Sequence, residues 1–398
     1  MLTELSDTKS TYQCLGKTLE GLEDILEKEL HGIGIEKTDK LTRAVAFEAT
    51  LNQIYKANIL VRTCLKILVV LEEFLVRNEQ DLYIKIKGMA WEELFKIDQT
   101  FAVDSVVNSD YFTHANFVAL KVKDGIVDRF REKYGERPNI DKYNPDFQIQ
   151  VHIRQKTVTI SIDTSGDSLH KRGYRTVQTD APLNEVLAAG IVLMSDWDTQ
   201  TQLYDPMCGS ATLLIEGALI AMNLPPQPKE RKYLFMNWKG FDHATYQTLL
   251  DSLYNSVNKN LMPNISGSDI SAKNIDIARI NIKNAGLNDI ITLHQEDFFY
   301  SDPKEHICII TNPPYDIRIK HADIDAFYQQ IGDKLKLSYT NSVAWILCGN
   351  LEASKFIGLR PSRKISLLNG SIPSKLNKYE LYKGSKKAKY QNSESETH

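Results

Sequence analysis

The 398-residue chain carries 48 Lys and Arg against 51 Asp and Glu, a formal net charge of −3, with 42% hydrophobic and 25% charged residues. That balance excludes a mostly disordered, collagenous or fibrous protein and a uniformly basic nucleic-acid coat, while leaving room for local basic patches. The length exceeds one ordinary core and implies two or three domains.

The longest apolar run, around Ile67 to Leu71, is far short of the ~20 residues a bilayer demands. Met1-Leu2-Thr3-Glu4 lacks a charged-then-apolar leader, so neither a membrane span nor an export signal is expected. Five cysteines (Cys14, Cys64, Cys208, Cys308, Cys348) are odd in number and nowhere form C-x-x-C. They suggest neither a disulfide framework nor a zinc site, and they point to a reducing cytoplasm with no metal centre.

The opening stretch reads as a small α+β unit. Tyr12 to Leu15 suggests a strand, and Leu19, Leu22, Leu26 and Leu30 follow at helical spacing, closed by Gly32 and Gly34. Arg43 to Phe47 alternates as a strand, about Leu51 to Cys64 reads as a helix, and Lys66 to Phe74 is strand-like. A second α+β block runs from about Asp81 to Asp163. Trp91, Leu94 and Phe95 fit a helix there, Thr100 to Val107 a strand, and Gln148 to Ile153 with Thr157 to Asp163 a hairpin. Phe117 to Tyr134 predicts a long amphipathic helix bearing Lys121, Lys123, Arg129, Arg131 and Lys133. It could hold RNA, although a charge run is more often a solvated face.

Composition changes at Thr164 to Ser168, the best candidate boundary. Next comes His170-Lys171-Arg172-Gly173-Tyr174-Arg175, where basic residues interleave with an aromatic. Lys171, Arg172 and Arg175 could grip phosphates while Tyr174 stacks a base, the plain alternative being a polar linker. From Asn184 onward helices and strands alternate. Helices are expected over Asn184 to Met194, Thr212 to Asn223, Ala272 to Ala285 (with Gly286 as its cap) and about Asp323 to Leu337. Strands are expected at Gln202 to Asp205, Ile265 to Asp269, Ile290 to Leu293, Ile307 to Thr311 and Ser342 to Leu347. Such a series implies an α/β fold with a parallel sheet covered on both faces. Lys364 to Leu368, Asn369-Gly370 and Tyr379 to Tyr382 read as an antiparallel pair added at the sheet edge.

Three strand ends carry acids. The strand ending at Asp205 runs into Pro206-Met207-Cys208-Gly209-Ser210-Ala211-Thr212 and then a helix, a loop of small residues that a ligand can approach closely. The pattern is not G-x-G-x-x-G and no Gly-Lys-Ser/Thr follows, so a dinucleotide or ATP phosphate is poorly served. Asp269 could accept bonds from both hydroxyls of a ribose. It lies 60 residues beyond Gly209, against ~20 in a simple dinucleotide fold, so an insertion must intervene. Pro225 to Pro228 and Trp238 to Phe241 mark that excursion, either a surface elaboration or a substrate-side wall. Asp297-Phe298 could bind an adenine amino group through the carboxylate and pack its ring with the phenyl. Each acid alone is more often a cap or a loop residue, but three at strand ends line the crevice where such sheets hold ligands.

The sharpest signal is Asn312-Pro313-Pro314-Tyr315, directly after the apolar strand Ile307 to Ile310. A nucleobase amine is a poor nucleophile because its lone pair is delocalised into the ring. An Asn oxygen and the adjacent Pro313 carbonyl can accept both its N–H bonds and favour a pyramidal nitrogen aimed at an incoming methyl group. Tyr315 can stack on the base, and the prolines fix the backbone. The bland alternative is a rigid loop that ends a strand.

These residues resemble a known family. Asp205-Pro-Met-Cys-Gly-Ser, Asn312-Pro-Pro-Tyr and Ser165-Gly-Asp-Ser-Leu-His-Lys-Arg-Gly-Tyr-Arg are similar to the THUMP-containing bacterial 23S ribosomal RNA guanine-N2 methyltransferases, strongly from Ser165 to Tyr382 and by general pattern before it. The resemblance implies a ferredoxin-like α+β domain over 1–65, a THUMP RNA-binding domain over 66–164, a Rossmann-like methyltransferase domain with a mixed seven-stranded sheet over 165–385, and a disordered tail over 386–398. It implies S-adenosylmethionine as cofactor. The Asp205 to Thr212 loop would lie along its methionine part, Asp269 with Ile270 at the ribose, Asp297 with Phe298 at the adenine, and Asn184 beside the methionine tail. Asn312 to Tyr315 would present the target amine of large-subunit ribosomal RNA or its assembly precursor, in the cytoplasm. Two positions depart from the family: Ala211 stands where Gly is usual, and Asp316 replaces a common Gly.

The tetrapeptide alone does not separate guanine N2 in ribosomal RNA from guanine N2 in tRNA, adenine N6 or a glutamine amide, all planar amines. Pyrimidine C5 chemistry would need a cysteine nucleophile, and the chain has no Pro-Cys pair. A reading of another class is a non-catalytic RNA-binding or ribosome-assembly factor. Loss of Asn312 or of the acidic strand ends would mark it, and all are present.

Overall fold

The computed structural model describes residues 10–179, 182–257, 261–315 and 321–383. The expected tail from 386 and the departure at Asp316 lie outside the described residues. Within them the chain forms two compact units. One comprises residues up to Thr18, Leu26–Leu169 and Gln227–Leu253; the other comprises Leu19–Ile25, His170–Pro226 and the residues from Tyr254 onward.

The N-terminal elements run β1 (Thr11–Lys17), α1 (Glu23–Gly32), β2 (Thr38–Leu41), β3 (Ala44–Thr50), α2 (Leu51–Leu60), β4 (Lys66–Leu75), α3 (Glu79–Gly88), α4 (Trp91–Leu94), β5 (Phe101–Asn108), α5 (Ala115–Tyr134), β6 (Phe147–Arg154) and β7 (Thr157–Asp163). Their strands form one seven-stranded sheet in the order β2-β3-β1-β4-β7-β6-β5. Only β5 and β6 pair in parallel. β4 pairs with β1 on one side and β7 on the other, so the sheet is continuous across residues 65 and 66.

Local chemistry sets the helix ends. α1 begins at Glu23 rather than Leu19 because Gly21 turns with φ 88° and its N–H donates to Glu23 Oε2 at 2.8 Å. α2 opens with a reciprocal cap between Thr50 and Gln53. It stops at Leu60, short of the expected Cys64, because the Glu29 carboxylate takes the Arg62 and Thr63 N–H groups at 2.8 and 2.9 Å. β2 and α3 are too short or too polar to have stood out in the sequence.

On α5 the basic residues are committed within the unit. Arg129 and Lys133 both bond Glu92, at 2.6 and 2.8 Å, and the Arg129 hydrogen bond chiefly holds that carboxyl at about 2. Arg131 pairs with Asp128 and Lys123 with Asp124, while Lys121 lies over the Phe117 ring. Arg131 and Lys133 remain exposed, so the stripe combines ion pairs within the unit with a solvated basic face.

The second half adds α6 (Glu185–Met194), β8 (Gln202–Asp205), α7 (Thr212–Ala221), α8 (His243–Asn255), β9 (Ile265–Asp269), α9 (Ala272–Asn284), β10 (Ile291–Gln295), β11 (Ile307–Thr311), α10 (His321–Ser338), β12 (Ser342–Cys348), β13 (Arg363–Asn369) and β14 (Ile372–Leu381). Its seven strands are ordered β10-β9-β8-β11-β12-β14-β13. The pairs from β10 through β12 are parallel, whereas β14 is antiparallel to both β12 and β13. This is the expected mixed sheet with an antiparallel hairpin; Asn369 pairs with Ile372 as the last residue of β13, so the turn itself is Gly370-Ser371, with Gly370 at φ 63°. β8 is central, with β9 on one side and β11 on the other. The strand order reverses there, and sheets of this kind hold ligands outside the carboxyl ends of the strands at such a point.

The excursion between α7 and β9 does not stay with the second sheet. Gln227–Leu253 belongs to the first unit, where Phe235, Phe241 and Tyr246 gather around Tyr55 with ring centroids 4.5 to 5.9 Å apart. Asn237 donates to the Asp146 carbonyl and Tyr233 to that of Asn58.

Candidate active site

β8 delivers Asp205 to its carboxyl end and the chain turns at once. The Asp205 carboxylate is 2% exposed and accepts the Thr311 hydroxyl at 2.7 Å and the Met207 N–H at 3.1 Å, both on Oδ1. Burial pushes this carboxyl up to about 7 against the pull of those donors, and neighbouring Asp269 adds to the rise. Cys208 N–H donates to the Ser268 carbonyl at 2.9 Å, tying the loop to β9. A Cβ on Gly267 would fall 2.4 Å from Leu214 and 3.1 Å from the Cys208 Cβ, so glycine lets the loop lie on the strand. The Cys208 thiol is itself buried and held protonated.

Asp269 closes the same loop from β9. Its Oδ2 accepts the Gly209 N–H at 3.0 Å, and its Oδ1 accepts Ser271 N–H at 2.9 Å and Asn274 Nδ2 at 3.1 Å. A carboxylate offers about four lone-pair sites, so capacity remains for a further donor. Ile270 beside it is 67% exposed, and a Cβ on Gly209 would meet nothing within 4 Å. The start of α7 has no side-chain cap, and its N-cap position, Ala211, sits at φ 64°, ψ 22°. The left-handed geometry that glycine favours is therefore occupied by alanine.

The Lys171 to Arg175 segment requires a correction. Arg172 and Tyr174 are 3% and 4% exposed and do not form a phosphate-gripping surface. Arg172 Nε lies 3.4 Å from Glu216 Oε1, both side chains being fully buried, and the Tyr174 hydroxyl donates to the same oxygen at 3.0 Å. Arg175 donates to the Leu183 carbonyl at 2.6 Å and to Thr212 Oγ1 at 2.8 Å, and its Nε faces Glu185 at 3.5 Å. These residues brace α7 and the loop before it; of the four only Lys171 is exposed. A basic-aromatic run reads alike in the sequence whether it faces solvent or a buried carboxylate. The counter-charges Glu185 and Glu216 were the signal that separates the two, as acids on otherwise apolar helices.

Asn184 caps α6, its side chain accepting the Val186 and Leu187 N–H groups at 2.9 and 3.4 Å. Asp297 is half-buried and caps a short turn by accepting the Phe299 N–H at 3.0 Å. Phe298 is the second correction. It is 4% exposed and packs in the core against Phe299 and Tyr339, so its ring offers no face to an adenine.

β11, adjacent to β8, ends in Thr311 and passes into Asn312, half-buried, and Pro313, buried. The Tyr315 ring lies against Gly349, where an added Cβ would fall 2.4 Å from Tyr315 Cδ2. The Tyr315 hydroxyl donates to Asn312 Oδ1 and accepts from Asn369 Nδ2 at 3.1 Å. The ring is half-buried, with Gly349 against it and its hydroxyl tied to Asn312 and Asn369. Thr311 was missed in the sequence; its only signal was a polar residue ending an apolar strand.

Among the described residues there is no group of three or more His, Cys, Asp or Glu able to hold a metal ion, and no helix long and apolar enough to cross a membrane.

The strand order, the loop after the central strand and the Asn-Pro-Pro-Tyr turn after its neighbour together define a Rossmann-like methyltransferase. Comparison with known proteins agrees. Residues 172–378 match the RMKL-like methyltransferase domain, 76–163 the THUMP domain and 13–68 the RlmL ferredoxin-like domain. A putative RNA methyltransferase of Synechocystis is 35% identical over 366 residues, covering 91% of this chain and 95% of that protein. The ribosomal RNA large subunit methyltransferase K/L of Psychromonas ingrahamii is 36% identical over 372 residues, covering 92% of this chain and 49% of that protein, so the chain spans about half its length. Among solved structures, a predicted N6-adenine-specific DNA methylase of Listeria monocytogenes superposes with TM-score 0.84 at 29% identity, covering 94% of this chain and 97% of its own. SMU.472, a putative methyltransferase crystallised with SAH, gives 0.85 at 26%, covering 95% and 100%. The chain belongs to the RMKL-like methyltransferase family, with ferredoxin-like and THUMP domains preceding the catalytic one.

Proposed function

We propose that this protein transfers a methyl group from S-adenosylmethionine to the exocyclic N2 amine of a guanine in 23S ribosomal RNA, acting on the large subunit or its precursor in the cytoplasm. The observation that carries the reading is an amide, Asn312, at the end of β11, beside the strand whose end carries the buried Asp205.

The residues suit the cofactor. Ile270 offers exposed apolar surface next to Asp269, whose carboxylate keeps capacity for a ribose hydroxyl. Asp297 is available for the adenine amine. The uncapped start of α7 suits the methionine carboxylate, and the Asp205 carboxyl would take the ammonium group of the same ligand. Met207 and Gly209, the half-buried positions of the loop, would line the methionine chain, while the buried Pro206, Cys208, Ser210 and Thr212 hold the loop's shape and Asn184 fixes the neighbouring helix. Bound there, the cofactor supplies an electrophilic sulfonium methyl.

The remaining work falls to the chain. Asn312 Oδ1 and the Pro313 carbonyl accept the two N–H bonds of the target amine. The nitrogen lone pair is thereby drawn out of conjugation and aimed. No base need act before transfer, because the proton leaves from the cationic product. A guanine whose amine must reach a recessed crevice is flipped out or taken from an unpaired loop.

The large-subunit substrate is supported by the K/L relatives and RNA binding by the THUMP match. The test is transfer of a tritiated methyl group to unmodified ribosomal RNA, tRNA and DNA, with mapping of N2-methylguanosine in cells lacking the protein. Label in 23S RNA that disappears with Asn312→Ala supports the reading. Label in tRNA or adenine would redirect it, and cofactor binding without transfer to any acceptor would favour the assembly factor.

A further inference from the structure

We infer that Asn369, at the tip of the β13–β14 hairpin, is a positioning residue that aims the Asn312 amide through the Tyr315 hydroxyl. The inference rests on the proposed role of Asn312 and deepens it.

Three side chains from separate elements form one directed chain. Asn369 Nδ2 donates to Tyr315 Oη at 3.1 Å, and Tyr315 Oη donates to Asn312 Oδ1. A phenol has one proton to give. Asn369 Nδ2 can only donate, so it takes a lone pair of the phenolic oxygen and favours giving the proton to Asn312; the Ser374 hydroxyl, which donates to the Ile372 carbonyl, also lies beside the phenol. Burial raises the phenol's pKa, so the proton is present throughout the working range. The Tyr315 ring is clamped against Gly349, and its backbone carbonyl faces Asn350 Nδ2 at 3.5 Å, so the hydroxyl cannot easily swing away.

The consequence concerns the amide. An unsupported Asn side chain rotates broadly about its last torsion and can exchange oxygen for nitrogen. With Tyr315 holding one lone pair of Oδ1, the oxygen stays on the substrate side and its second lone pair is left for the target N–H. Asn369 thus sets which end of Asn312 meets the amine, although it follows Asn312 by 57 residues and lies on the added hairpin rather than on a parallel strand.

The discriminating variant is Asn369→Asp, which keeps the size but removes both donors and turns the residue into a competing acceptor. The Tyr315 proton is then drawn toward residue 369 and away from Asn312. We expect kcat for RNA methylation to fall about 10-fold, with KM for the cofactor unchanged, and Asn369→Ala to behave alike. In a Tyr315→Phe background the same substitutions should change kcat less than about 2-fold, because the link is already cut. In protein labelled with 15N-asparagine, the Asn312 side-chain resonances, assigned by their loss in Asn312→Ala, should move in both Asn369→Asp and Tyr315→Phe. Unmoved resonances together with full activity of Asn369→Asp, or equal losses in the wild-type and Tyr315→Phe backgrounds, would overturn the relay. An inactive wild-type enzyme would instead strike at the proposed function, and the resonance measurement would still decide the relay.

Discussion

The loop after β8 and the turn after β11 leave adjacent strands of one sheet, yet they are held by different means. Backbone amides fix the loop: Met207, Cys208 and Gly209 donate to Asp205, Ser268 and Asp269, and Thr212 is gripped by Arg175 from behind. The turn has two prolines and a relay of side chains from β13 and Tyr315. A ligand that is the same in every turnover can be met by rigid backbone. An acceptor amine that must be turned and pulled out of conjugation calls for a side chain aimed by its neighbours. The contrast predicts that damage to the turn appears in the chemical step and damage to the loop in cofactor affinity and stability.

The largest effect is expected at the turn. Asn312→Ala should lower the single-turnover rate by about 10² to 10³, the loss typical of removing one transition-state acceptor or donor, while calorimetric affinity for S-adenosylmethionine is unchanged. A parallel loss of affinity would break the contrast. On the loop side, Glu216→Gln leaves Arg172 buried without its counter-charge. It should cost roughly 3 kcal/mol in denaturant unfolding and weaken cofactor binding.

Asp205→Asn separates stability from function. Burial raises the native carboxyl from 3.8 to about 7, so between those values the native state holds a proton that the unfolded chain has released, and stability falls as pH rises. Asparagine keeps an oxygen for Thr311 and Met207 but never charges. Its advantage over wild type should therefore be absent below about pH 4, grow by about 1.4 kcal/mol per unit above that, and level near pH 7 at about 4 kcal/mol. Unfolding at pH 5 and pH 8 reads this directly, and cofactor affinity should fall. The smallest change is Ala211→Gly, which relieves a left-handed alanine and should stabilise by about 1 kcal/mol, seen as a small rise in Tm.

The parallel strands, the hairpin and the end-of-strand residues Asp205, Asp269 and Asn312 were legible because apolar runs and turn residues act over a few positions. Arg172 and Tyr174 misled because a short segment does not record what it faces; Glu216, 42 residues after Tyr174, decides it. Phe298 misled for the same reason, its partner Tyr339 lying on the far side of β11 in the chain. Asn369 read as half of an Asn-Gly turn, and that sufficient local explanation concealed its bond to Tyr315. The excursion to Gln227–Leu253 was expected from spacing, but its membership of the first unit depends on Tyr55 and Asn58, far earlier in the sequence.

That membership limits how the protein can be dissected. A fragment started after Leu169 would inherit Phe235 and Tyr246 without the Tyr55 they pack on, and one stopped there would lack them. No single scissile position yields a clean reader and a clean catalyst, so truncation phenotypes in this protein report on exposed grease as much as on lost activity.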